Sequence, residues 1–155
     1  CPRACRAARK AARKAAPNVV SQGVTTVVVN QDGRSPWPIA EQRATLELQG
    51  VGPNVMLMVG HGTVRGRVMG DDFRRTATEA EVTAMQALVR QALQEGAVGI
   101  SAGLEYTPGR WSDTAEVAAL VHLLDGADTM PAGKGLFLEE TWRLHPSICA
   151  ASSIA

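Results

Sequence analysis

The run Val24-Thr25-Thr26-Val27-Val28-Val29, halted at once by Asn30-Gln31-Asp32-Gly33, restricts this chain more than any other feature. Val and Thr fit a pleated surface, and an apolar β-branched run without alternation reads as a strand packed on both faces. Such strands belong to parallel sheets, whose crossovers place helices over the sheet. Asn30 and Gly33 supply turn chemistry, so Asp32 falls just beyond the strand's carboxyl end. Ligands of parallel α/β folds bind at that end. A carboxylate there reads as a metal ligand or an acid/base. It reads equally as a turn residue or a cap for the next helix.

The rest of the chain repeats this order. Ile39 to Leu48 is a weak helical segment ended by Gly50 and Gly52, and it carries Ile39, Leu46 and Leu48. Asn54 to Val59 is a second buried strand, with His61 to Arg65 expected as the loop after it. Thr78 and Glu81 form a capping box for a helix over 79–95. Val82, Met85, Leu88, Val89, Ala92 and Leu93 fall on one face of that helix, and Gly96 closes it. Ala97 to Ser101 is a third strand, followed by the loop Gly103 to Arg110. Asp113 with Glu116 begins a further helix, with Val117, Leu120, Val121 and Leu124 as its apolar face. Strand–helix alternation of this kind specifies an α/β fold with a parallel sheet. Three such units fit part of a barrel or a small open sheet, and periodicity does not separate the two.

Three stretches, QGVTTVVVNQDGRSPWPI, NVMLMVGHGTVRGRVMG and GAVGISAGLEYTPGRWSDTAE, resemble consecutive pieces of the N-acyl-D-amino-acid deacylases (D-aminoacylases) of the amidohydrolase superfamily. The likeness runs from about Asn18 to about Leu123. It implies a metal-dependent hydrolase on a (β/α)8 barrel. It also implies that a metal-bound hydroxide attacks the acyl carbon of an N-acyl-D-amino acid, with an Asp carrying the proton to the leaving amine. The products would be a carboxylate and a free D-amino acid. A complete barrel usually takes about 250 residues, so the 155 residues here are expected to be three βα units of an incomplete one.

The site residues expected are those of the three loops. By the resemblance, the metal set of such enzymes is an HxH pair, a bridging ligand, two further histidines and a late Asp. Zinc is the metal implied. This sequence has no HxH, and His61, His122 and His145 are isolated. Aligning on GVTTVVV places Asp32 at the bridging position, where well-known members carry a cysteine. A carboxylate oxygen is an acceptable zinc ligand at about 2.0–2.2 Å, but one ligand makes no zinc site. The isolated chain is therefore expected to be inactive. Tyr106 is the favoured substrate contact, since it offers a ring face and a hydroxyl; packing under the Pro108 turn is the alternative. Arg65 suits bidentate pairing with a substrate carboxylate or a structural ion pair. His61 is read as a ligand or base, against a histidine hydrogen-bonded to loop backbone. Glu105 reads as solvated or paired with an arginine. Trp37, Trp111 and Trp142 read as packing residues.

Charge marks the start of the family-like segment, and the loss of apolar register beyond about Leu124 marks its end. Arg3, Arg6, Arg9, Lys10, Arg13 and Lys14 precede the first acid, Glu41, so the net charge of +1 divides into +6 over residues 1–17 and −5 beyond. The domain reading is accordingly a basic Ala/Arg-rich segment over 1–17, a partial barrel over 18–124 and an irregular tail over 125–155. The basic segment reads as a nucleic-acid, membrane-surface or targeting helix, or as the product of a GC-rich gene read out of frame. The alternative function is thus a non-catalytic α/β module with a basic arm for nucleic-acid or partner binding. The arm has no aromatic residue for base stacking, which weighs against nucleic acid. Three cysteines, Cys1, Cys5 and Cys149, make neither a disulfide framework nor a zinc knuckle. No apolar run is long enough for a membrane span and the N-terminus has no secretory core, so the cytoplasm is the expected compartment. Three units alone would expose two sheet edges, so self-association is expected as well.

Overall fold

The structure, a computed structural model, describes residues 16–125. A short helix α1 (Pro17–Val20) leads into β1 (Thr26–Val29), α2 (Ile39–Gln49) and β2 (Asn54–Gly60). Helix α3 (His61–Met69), α4 (Glu79–Gln94), β3 (Ala97–Ser101) and α5 (Thr114–Asp125) follow, with single 3-10 turns at Gly70–Asp72 and Gly109–Trp111. The strands form one three-stranded sheet in the order β1-β2-β3. Both pairings are parallel, with Val28 opposite Met56 and Val59 opposite Ile100. The α/β, parallel reading of the sequence therefore holds. A register irregularity between Leu57 and Met58 shifts β3 against β2.

Burial follows the pleat. Leu57 and Val59 of β2 are buried together with Ile39, Val64, Met85, Val89 and Leu120 of the helices. Val28, Met56 and Met58 take no part in that core and are only half-buried. The helices thus cover one face of the sheet, as alternating side-chain direction requires.

Helix α4 matches its sequence closely. Glu81 N–H donates to Thr78 Oγ1 at 3.3 Å, and Thr78 N–H donates to Glu81 Oε2 at 2.8 Å, which completes the capping box. Met85, Val89 and Ala92 are buried, and Gly96 takes the left-handed φ of +102° that ends the helix. Arg75 braces this N-terminus by a two-pronged contact with Glu81 at 2.7 and 2.8 Å.

Four expectations are corrected. The first strand is shorter than 24–29 and is half-buried at most, because β1 lies at the edge of the described sheet and has a strand neighbour on one side only among the described residues. Residues 61–65 are not a loop but the first turns of α3. Leu48, two residues from the core-packed Leu46, points to the opposite side of α2 and is 91% exposed. Helix α5 turns Glu116, Leu120 and Leu123 inward at i, i+4 and i+7, leaving Val121 exposed.

Candidate functional site at the carboxyl ends of the strands

The segments that leave the three strands interlock at one edge of the sheet. Asn30, Asp32 and Gly33 all have positive φ, at 72°, 60° and 75°. Asn and Asp tolerate that region better than other side chains do. Asn30 fixes its conformation by an amide–amide pair with Gln42, at 2.9 and 3.0 Å, and by donating to the Met58 carbonyl at 2.8 Å. Ser101 Oγ accepts from Gly33 N–H at 3.2 Å and donates to the Asn30 carbonyl at 2.6 Å, so the end of β3 holds the turn after β1. Ser35 Oγ accepts from Gly60 N–H at 3.1 Å, and Thr63 N–H donates to the Gly33 carbonyl at 3.3 Å. Backbone meets backbone here. A Cβ on Gly103 would stand 2.2 Å from the Asp32 carbonyl oxygen, and one on Gly60 2.5 Å from that of Gly33.

The predicted site residues take unequal places in this frame. Asp32 is exposed, and its carboxylate has no hydrogen-bond or ion-pair partner among the described residues. Among the described residues no group of three or more His, Cys, Asp or Glu could hold a metal ion. The residues described do not fit a metal site. Tyr106 is 54% exposed, and its ring passes close to Gly103, 3.0 Å from where a Cβ would lie. Glu105 and Arg110 are exposed too, and Arg110 lies over the Trp111 ring at 5.3 Å. Trp37 and Trp111 do pack, Trp37 against the core and Trp111 edge-on to Phe73. Trp142, His145, the three cysteines, residues 1–15 of the basic segment and residues 126–155 of the tail lie outside the described residues.

His61 and Arg65 point inward instead. They share Glu116, a carboxylate that residue spacing alone assigned to a helix start. His61 Nε2 lies 2.8 Å from Glu116 Oε1, and Arg65 Nη1 donates to Glu116 Oε2. Arg65 Nη2 also donates to the carbonyls of Phe73, Arg75 and Trp111. All three side chains are 98% or more buried. Burial pushes the Glu116 carboxyl up, but the hydrogen bonds from His61 and Arg65 and the Arg65 charge outweigh it and hold it below its usual range. Arg65 is thus a structural ion-pair residue here, with its guanidinium enclosed. No sequence pattern marks such a triad, since Glu116 lies 51 and 55 residues from its two partners.

Among the clefts on the described surface are two beside α2, and neither includes Asp32, His61 or Tyr106. One, of about 330 Å³, lies beside α2 against Trp37 and Glu41. The other, of about 270 Å³, lies between α2 and the Val27–Val55 side of the sheet.

This layout defines an α/β unit whose polar loops gather at the carboxyl edge of a parallel sheet, where such folds bind ligands. No family model matches the chain. It is 37% identical over 130 residues to the N-acyl-D-aspartate deacylase of Alcaligenes xylosoxydans xylosoxydans, covering 69% of this chain and 26% of that protein. It is 32% identical over 160 aligned positions to the D-aminoacylase of the same organism, covering 81% of this chain and 32% of the relative. The structure superposes with a TM-score of 0.61 and 35% identity on the N-acyl-D-glutamate deacylase of Bordetella bronchiseptica, solved with zinc and a phosphonate inhibitor. That match covers 67% of this chain and 26% of the other. The likeness to N-acyl-D-amino-acid deacylases read from the three motifs therefore holds over part of the chain. The chain spans about a quarter to a third of the length of these relatives. No helix among the described residues is long and apolar enough to cross a membrane.

Proposed function

We propose that residues 18–124 are three βα units of a (β/α)8 hydrolase that cleaves N-acyl-D-amino acids, and that they supply part of its substrate face. The observation that carries this reading is the convergence of three post-strand segments at one sheet edge, with Tyr106 exposed upon it. The face bearing the half-buried Val28, Met56 and Met58, which no helix covers among the described residues, supports it further, since a barrel turns one face of its sheet inward and covers the other with helices. Tyr106 offers its ring and hydroxyl to the substrate. Arg65 and His61 serve that face from within rather than by contact. Asp32 is the single candidate ligand for the zinc that relatives of this kind hold, and no step of hydrolysis is assigned to it. The isolated chain is accordingly inactive.

Two experiments test this. Purified chain with added zinc is assayed on N-acetyl-D-methionine and N-acetyl-D-glutamate, and no turnover is expected. Metal-dependent turnover abolished by Asp32→Ala would overturn the inactive reading. Separately, residues 18–124 are exchanged for the corresponding segment of a D-aminoacylase. A folded chimera that hydrolyses N-acyl-D-amino acids supports the barrel and substrate-face reading; a folded chimera without activity counts against it. The alternative of a nucleic-acid-binding module draws nothing from the relatives found, which are deacylases.

A further inference from the structure

Between Ser101 and Thr114 the chain makes a long excursion that carries Tyr106 outward. Inside the excursion the bonds are local: Tyr106 N–H to the Gly103 carbonyl at 3.1 Å, and Arg110 N–H to the Tyr106 carbonyl at 2.9 Å. At its start it is tied by Ser101 Oγ to the turn after β1. Midway, an exposed Arg34 donates to the Thr107 carbonyl at 3.0 Å. At its end it runs into the buried triad. Arg65 Nη2 donates to the Trp111 carbonyl at 3.3 Å, and Glu116 itself stands in the first turn of α5. His61 presents its unbonded Nδ1, fully buried, to Gly109. A Cβ at Gly109 would lie 3.6 Å from that nitrogen and 2.8 Å from the Gly103 carbonyl oxygen.

We infer that Glu116 is a positioning residue: by holding His61 and Arg65 it seats the Gly103–Trp111 loop, and so sets the aim of Tyr106. A buried ion pair seldom adds stability over an apolar group of equal volume, and its attested use is to select one arrangement among several. Here the arrangement selected is that of an outward loop against the first turns of α3. The functional weight of this inference rests on Tyr106 being a substrate contact; the geometry does not.

Tyr106 is the only tyrosine in the sequence, so 3-fluorotyrosine incorporated into the full chain gives a resonance that reports on this side chain alone. Wild type should show one sharp line. Glu116→Gln and His61→Ala should shift or split it and speed amide exchange over 104–111 about tenfold, the effect of losing one ordinary hydrogen bond. Amides of Leu57, Val59 and Ile100 should keep their protection. His61→Gln, which retains an N–H donor toward Glu116, should restore the wild-type line. An unmoved line in Glu116→Gln overturns the inference, and so does a loss of protection equal across loop and sheet. If Glu116→Gln does not fold, the contrast between His61→Ala and His61→Gln decides by the same criteria. Titrating N-acetyl-D-glutamate into wild type tests the substrate reading by itself: a silent line removes that reading and leaves the seating of the loop intact.

Discussion

Asp113 and Glu116 stand three residues apart at a helix start, as Thr78 and Glu81 do, yet the two pairs behave differently. Glu81 turns back to its cap, whereas Glu116 gives its backbone N–H to Asp113 at 2.8 Å and sends its carboxylate into the core. Arg65→Met should therefore cost about 3–5 kcal/mol in urea unfolding, because it strips the main cation from a buried charge. Adding Glu116→Leu should recover most of that loss, and a double-mutant cycle measures the coupling. Glu81 makes the opposite case at the surface. Arg75 and the cap hold its carboxyl down to about 2, from an ordinary 4.5. A depressed carboxyl stabilises fully above its unfolded pKa and loses that contribution as pH falls through the folded one. The Tm gap between wild type and Glu81→Gln should thus be widest above pH 4.5 and close toward pH 2. Spacing made the surface pair legible, since cap and partner are neighbours in sequence. It concealed the buried one, whose partners arrive from another helix.

Among the longer elements, α3 is the one the sequence hid. Its nine residues carry two glycines and no continuous apolar stripe, so neither propensity nor period announces a helix. The first glycine is there for proximity. Gly62 lets the helix pass the Gly33 carbonyl, where a Cβ would stand at 2.9 Å. Gly66, four residues on, meets only Pro108 at an ordinary 3.9 Å. Gly66 and the tightly packed Gly60 should respond oppositely to alanine. Gly66→Ala should raise stability by about 0.5–1 kcal/mol, because alanine is the better helix former and has room. Gly60→Ala, at the strand–helix junction, should lower it by about 1–3 kcal/mol through overpacking against the Gly33–Arg34 backbone. Thermal unfolding of the two variants checks the sign of each. By contrast α4 was legible in full, because its cap, its apolar face and its terminal glycine all agree on one answer.

At the scale of the whole molecule, parallel order and helical cover were readable from alternation, but the exposure of β1 was not. An apolar strand reads as buried whichever of its neighbours is present. Thr26–Val29 leaves one row of backbone groups without a strand partner among the described residues, beside a sheet face bearing Val28, Met56 and Met58. Unprotected edges of this kind template pairing with other chains. Sedimentation velocity of the purified chain should show reversible self-association that grows with concentration. Thr26→Lys, a charge on the exposed start of that edge, should weaken it without lowering Tm. Unchanged association in Thr26→Lys would place the contact elsewhere.

The loop edge itself is built of two materials. Its inner layer is glycine backbone in mutual contact, at Gly33, Gly60 and Gly103, where no side chain can be added. Its outer layer, Gln31, Asp32, Leu104, Glu105, Tyr106 and Thr107, is exposed throughout. Loop lengths are therefore locked together, while outward side chains are free of one another. A combinatorial library that randomises the other five positions, limits Asp32 with its φ of 60° to Asp, Asn or Gly, and keeps every glycine and every loop length would sample new binding surfaces on an undisturbed frame, whereas inserting one residue into any single loop would unseat all three.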